Sequence, residues 1–143
     1  MSAINPYLSF KDNTEEAFKF YKSVFGGEFQ TIMRFKDMPP EQPMSEDTGN
    51  KIMHVALPIG KGTILMGSDA PEGFGPPLTV GNNFSIAIST DSKEEADRIY
   101  KNLSAGGQLT MPMDNAPWGS YFGMLTDKFR VNWMVSFDQN PQR

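Results

Sequence analysis

The sequence predicts an α+β fold made of two copies of one β-α-β-β-β module, and three observations lead there. Asp12 to Lys22 reads D-N-T-E-E-A-F-K-F-Y-K, and Asp91 to Lys101, 79 positions later, reads D-S-K-E-E-A-D-R-I-Y-K. Both segments run on into a double glycine, Gly26-Gly27 and Gly106-Gly107. Short apolar, β-branched segments flank each copy in the same order. A repeat of this length is a supersecondary unit that cannot bury its apolar face alone, so each copy must pack on something, most simply the other copy or a second chain.

Taken in order, the first module opens with a strand at 4-10. Ala17, Phe20, Tyr21, Val24 and Phe25 then recur at helical spacing behind Asp12, which can cap a helix over 13-25 with Glu15 three residues on. Strands follow at 28-36, 51-59 and 62-68. In the second module a strand at 83-90 precedes a helix at 92-105, whose stripe is Ala96, Ile99, Tyr100 and Leu103 behind Asp91 and Glu94. Three strands close it, at 107-113, 119-126 and 130-137. Each glycine pair supplies the left-handed residue that ends a helix. Two Pro/Gly-rich stretches interrupt the pattern. Residues 38-50 read as a mobile acidic loop inside the first module, and 70-77 as the linker between a module at 1-69 and another at 78-143.

Composition removes several classes of function. The chain has 143 residues, 38% of them apolar and 12% aromatic, enough for a packed core in one domain or two joined half-domains. A net charge of −4 without a Lys/Arg run leaves no footprint for nucleic acid or an anionic membrane. No stretch of ~20 apolar residues suits a membrane span, and M-S-A-I-N-P lacks the parts of a signal peptide, so a cytoplasmic location is expected. With no cysteine, disulfides, thiolate nucleophiles and thiolate metal sites are all excluded.

Four stretches carry a resemblance: I-N-P-Y-L-S-F near Ile4, E-E-A-F-K-F-Y-K-S-V-F-G-G-E from Glu15, I-M-H-V-A-L from Ile52, and W-G-S-Y-F-G-M-L-T-D-K-F-R-V-N-W from Trp118. On a duplicated β-α-β-β-β scaffold they resemble the vicinal oxygen chelate superfamily of glyoxalases, extradiol dioxygenases and bleomycin and fosfomycin resistance proteins, and within it the PhnB-like group. The resemblance implies curved sheets forming a cup with helices outside, built as a homodimer. It also implies four positions where metal-dependent members place ligands. Relatives in the group carry a 3-demethylubiquinone methyltransferase label, but here no glycine-rich turn leads from a strand into a helix as a nucleotide-type cofactor requires.

Strand alternation indicates which residues face such a cup. In 53-59, Met53, Val55, Leu57 and Ile59 form the helix-facing row, leaving His54 and Ala56 on the cup side. In 84-89, Phe84, Ile86 and Ile88 face the helix, leaving Ser85, Ala87 and Ser89. In 131-137, Trp133, Val135 and Phe137 pack inward, leaving Asn132, Met134 and Ser136. The four implied positions therefore fall at Asn5 or Pro6, His54, Ser85 and Met134, and only one of these is an imidazole or carboxylate. Neither a metal nor any other cofactor is expected.

His54 is the sole histidine. It is either a strand residue satisfied by a carbonyl or water, or a group that orients a ligand or moves a proton. Arg34 either holds an anionic ligand group from the cup side, with Met33 and Phe35 facing the helix, or is a solvated edge-strand cation. Trp118 closes over a ligand or packs on a dimer partner. Met66, Met111, Met113, Met124 and Met134 line an adaptable apolar pocket or fill core gaps. Asp127-Lys128-Phe129-Arg130 is a turn in which relatives have Pro and Gly at positions 128 and 130. The expected function is binding of a small, partly apolar molecule without metal, as in bleomycin resistance. Glyoxalase-like or dioxygenase-type catalysis, or a structural dimer without a ligand, are the alternatives.

Overall fold

The computed structural model describes residues 2–37, 44–71 and 76–139. The chain divides into two compact units, 1–79 and 80–143. The first contains β1 (Tyr7–Phe10), α1 (Thr14–Phe25), β2 (Thr31–Arg34), a 3-10 turn (Phe35–Asp37), α2 (Glu46–Asn50), β3 (Ile52–Ile59) and β4 (Thr63–Asp69). The second contains β5 (Ile86–Ser89), α3 (Lys93–Ser104), β6 (Gln108–Asn115), β7 (Ser120–Thr126) and β8 (Asn132–Asp138). Each module is thus β-α-β-β-β, as the repeat predicts. The sheets run β1-β4-β3-β2 and β5-β8-β7-β6, and in each the first and last strands of the module pair in parallel while the rest are antiparallel.

A helix packs on one face of each sheet, and the cores lie beneath these helices. Ala17, Phe18, Tyr21 and Val24 of α1 bury against Leu8, Phe10, Val55, Leu57 and Leu65. Ala96, Ile99, Tyr100 and Leu103 of α3 bury against Leu125, Trp133 and Val135. Glycine permits close approach at Gly67, where a Cβ would lie 2.7 Å from the Phe18 ring and 2.9 Å from the Leu8 carbonyl oxygen. The left-handed glycines that end the helices are Gly26 (φ 80°) and Gly106 (φ 78°).

The helix starts differ from expectation. Asn13, not Asp12, stands at the N-cap of α1, and its side chain makes no cap hydrogen bond. The carboxylate of Asp69, at the end of β4, accepts from the Thr14 amide and hydroxyl through Oδ1 and from the Ile52 amide through Oδ2. A buried aspartate 55 residues downstream thereby satisfies donors that the local sequence leaves open. In α3 the cap is Ser92, not Asp91; its hydroxyl accepts from the Glu95 amide, and Glu95 accepts from the Asp91 amide.

The expected loop at 38-50 is partly helical. Ser45 caps α2 by accepting from the Thr48 amide, and Lys36 Nζ donates to Asn50 Oδ1 at 3.0 Å. Residues 38–43 of that loop, and 72–75 of the expected linker, lie outside the described residues.

Candidate functional site

Alternation along each strand leaves one sheet face without a helix of its own unit. In the first unit this open face carries Tyr7 and Ser9 of β1, Met66 and Ser68 of β4, His54 and Ala56 of β3, and Thr31 and Met33 of β2, aligned by the cross-strand pairs. The His54 imidazole stacks on the Tyr7 ring, with centroids 5.9 Å apart and planes 23° from parallel. His54 is half-buried, and Met33 is its partner across the strands.

A bulge changes the rest of that region. Between Met33 and Arg34 the register slips, so Met33 pairs with His54 but Arg34 pairs with Ile52. Ile52, only 1% exposed, takes the helix-facing place expected of Met53. Ahead of the slip Thr31, Ile32 and Met33 pair regularly, so the alternation of β2 itself puts Met33 on the open face and Arg34 on the helix side, the reverse of the parity reading. The Arg34 guanidinium forms a two-pronged pair with Glu15 of α1, Nη1 to Oε1 at 3.1 Å and Nη2 to Oε2 at 2.8 Å, and also donates to the Asn50 carbonyl. This contact holds the Glu15 carboxyl below the ordinary carboxylate range and raises Arg34. Arg34 is therefore neither a solvated cation nor a group on the open face.

The open face of the second unit is richer in sulfur and aromatic rings. Its central row runs Ala87, Met134, Met124 and Met111 across β5, β8, β7 and β6. The next row is Ser89, Ser136, Phe122 and Asp114. Trp118, 55% exposed in the β6–β7 turn, meets Phe122 edge-on at 5.8 Å. Ser85 lies just before β5 and Met134 within β8. Phe84, expected against the helix, is instead 63% exposed because β5 begins only at Ile86. Met113 departs from the other methionines: its Sδ lies over Gly123 beside the Tyr100 ring, on the α3 side.

The residues at the four implied ligand positions sit in different surroundings. Asn5 is committed to the backbone, its Oδ1 accepting from the Ile64 amide at 2.9 Å, and the Pro6 carbonyl accepts from the Met66 amide. In each module the first and last strands are sheet neighbours, which makes Tyr7 and Met66 equivalent to Ala87 and Met134. His54 lies on the third strand, outside that set. Among the described residues no three His, Asp or Glu side chains come together as a metal-holding group.

At the foot of the second unit's face a cleft of about 730 Å³ is lined by Gln108, Thr126, Asn132, Lys128 and Arg130 beside Gly106 and Gly107. Arg130 holds a left-handed backbone at φ 73°. Beneath it Asp127, 2% exposed, accepts from the Phe129 and Val131 amides through Oδ1 and from the Trp133 indole through Oδ2. The D-K-F-R segment is a turn, as expected from its sequence, and its aspartate is the anchor of that turn. On the helix side of β7, Tyr121 donates to Asp97 at 2.5 Å, which with burial pushes its phenol up to about 12. Among the described residues no helix is long and apolar enough to cross a membrane.

Comparison with known proteins gives a consistent result. The profile of the family described as 3-demethylubiquinone-9 3-methyltransferase matches residues 2–136. The YjdN protein of Escherichia coli K12 is 28% identical over 141 residues, 93% of each chain. A Pseudomonas aeruginosa protein of known crystal structure is 37% identical, with TM-score 0.84 over 97% of this chain and 99% of that one. A Bacillus cereus structure described as a putative 3-demethylubiquinone-9 3-methyltransferase, PhnB protein, is 26% identical, with TM-score 0.74 over 95% and 99%. At the level of fold alone the chain is similar to the fosfomycin resistance protein FosX of Listeria monocytogenes, 14% identical with TM-score 0.63 over 95% and 91%.

Proposed function

Because this chain belongs to the family described as 3-demethylubiquinone-9 3-methyltransferase, the PhnB-like branch of the glyoxalase, bleomycin resistance and dioxygenase superfamily, we propose that it binds a small organic molecule on the open faces of its sheets without a resident metal. The observation that carries this reading is the donor set. The equivalent central positions of the two modules are Tyr7, Met66, Ala87 and Met134. A hard or borderline divalent ion prefers imidazole and carboxylate, and this set offers neither. The same residues form apolar, half-exposed surface beside aromatic rings, which suits an organic ligand. A homodimer is part of the proposal, since these faces need cover.

Methyl transfer does not fit the folded chain. A nucleoside methyl donor of the doubly wound type needs a glycine-bearing turn from a strand into a helix N-terminus. Here β1 joins α1 through Lys11, Asp12 and Asn13, and the first amide of α1 is already engaged by the Asp69 carboxylate.

One observation favours a catalytic reading as second choice. His54 lies on the open face against Tyr7, where an imidazole can move a proton to or from a bound molecule. A thermal-shift screen of a diverse small-molecule set, run with and without EDTA, tests the first reading. Hits that stabilise the protein equally in both conditions support it, and hits that vanish with EDTA and return with a divalent metal contradict it. Incubating the hits with wild type and His54→Ala, with mass spectrometry of the products, separates binding from turnover.

A further inference from the structure

Resting on the binding reading above, we propose that the ligand is a flat, uncharged aromatic molecule held by sulfur–ring contact with Met111, Met124 and Met134. None of the described methionines belongs to the buried core, which Leu, Val, Ile, Phe, Tyr and Trp fill instead. The thioethers of the open faces therefore do not fill core gaps. The cross-strand pairs set Met111, Met124 and Met134 side by side on three adjacent strands. Strands lie ~5 Å apart, so the row spans roughly 10 Å, about the length of two fused rings.

The chemistry of the row is selective. A leucine at each place would offer similar apolar area, but a polarisable thioether adds attraction for the face or edge of an aromatic ring. The central rows of both open faces, Tyr7–Met66–Ala56–Thr31 and Ala87–Met134–Met124–Met111, carry no Lys, Arg, Asp or Glu. A charged ligand body would lose its hydration there without a counter-charge. In the second unit the charged groups stand at the ends of the face: Asp114 and Asp138 at one, Lys128 and Arg130 in the cleft at the other. Flat ring surface is already present in the Tyr7–His54 stack and the Trp118–Phe122 pair.

Calorimetry with matched uncharged pairs tests the proposal: 2-naphthol, 2-naphthalenemethanol and 4-phenylphenol, each against its fully saturated counterpart. The aromatic member is expected to bind roughly ten-fold tighter than the saturated one, from several sulfur–ring contacts of a few-fold each. That ratio is expected to fall towards one in Met124→Leu/Met134→Leu, which keeps apolar bulk and removes two sulfurs. Equal binding of both members, or a ratio untouched by the double substitution, overturns the aromatic class and leaves the binding reading standing. Binding of no pair, in a protein whose circular dichroism shows it folded, overturns both.

Discussion

Replacing Asp127 by alanine tests how the second unit holds its core tryptophan. Trp133 is fully buried and its indole donates to Asp127 Oδ2 at 2.8 Å. A hydrogen bond to a charged acceptor is worth about 1.5–3 kcal/mol. The amides of Phe129 and Val131, at 2.8 and 3.0 Å from Oδ1, lie in a partly exposed turn. They can recruit water, so each loses about 0.5–1 kcal/mol. Asp127→Ala should therefore destabilise the second unit by about 3–4 kcal/mol. With a urea slope of about 1.5–2 kcal/mol/M, the midpoint falls by roughly 2 M. Asp127→Asn should cost about 2 kcal/mol, because its NH2 must face at least one N–H donor. Trp133 fluorescence during urea unfolding reports this unit directly, since both tryptophans lie in it. In the double variant with Trp133→Phe, the coupling between the two positions should be about 1.5–3 kcal/mol. A midpoint shift below about 0.5 M at unchanged slope, or additive single effects, would refute the assignment.

Further outcomes follow from other contacts. Glu15→Gln should lose at most about 1 kcal/mol near neutral pH, since the Glu15 carboxylate is 43% exposed. Because pairing with Arg34 lowers the folded-state pKa, that contribution is present above the ordinary carboxylate range and disappears as pH falls through the lowered value, so wild type and variant should converge in acid. Tyr121 is pushed up to about 12, so the stability it contributes is complete below the ordinary tyrosine range near 10 and is lost as pH rises through about 12. Burial also raises Tyr100, so phenolate absorbance should show late titration beyond the ordinary tyrosine range, of which Tyr121→Phe removes the component near 12. Gly67→Ala should cost about 1–3 kcal/mol in thermal unfolding, because the added Cβ meets the Leu8 carbonyl at 2.9 Å as well as the Phe18 ring.

The two modules are readable from sequence because each helix carries its apolar stripe at 3.6 spacing and each strand its period of two. His54 and Met134 are placed on open faces by parity alone, and the structure puts them there. Parity fails where the pleat is interrupted. The extra residue Met53 in β3 hands its helix-facing place to Ile52, and two register slips in β6 put Met111 on the open face while Met113 packs under α3; Arg34 reaches Glu15 for another reason, because β2 alternates in the opposite phase to the one read from sequence. Nothing local in the sequence marks these extra residues. The structural aspartates were invisible for a different reason. Asp69 serves Thr14 across 55 residues, and Asp127 serves an indole that hydrophobic patterning assigns only to the core. The pairing of first strand with last, which sets Tyr7 beside Met66 and Ala87 beside Met134, was not legible because which strands are neighbours is a property of topology, not of alternation.

Native mass spectrometry of gently purified protein, set against the mass of the denatured chain, tests the central claim most directly. The expected species is a dimer that carries no stoichiometric divalent metal and takes up a small organic molecule, retained from the cell or added from the aromatic panel. A dimer holding one divalent ion per chain, lost to chelator together with ligand binding, would contradict it.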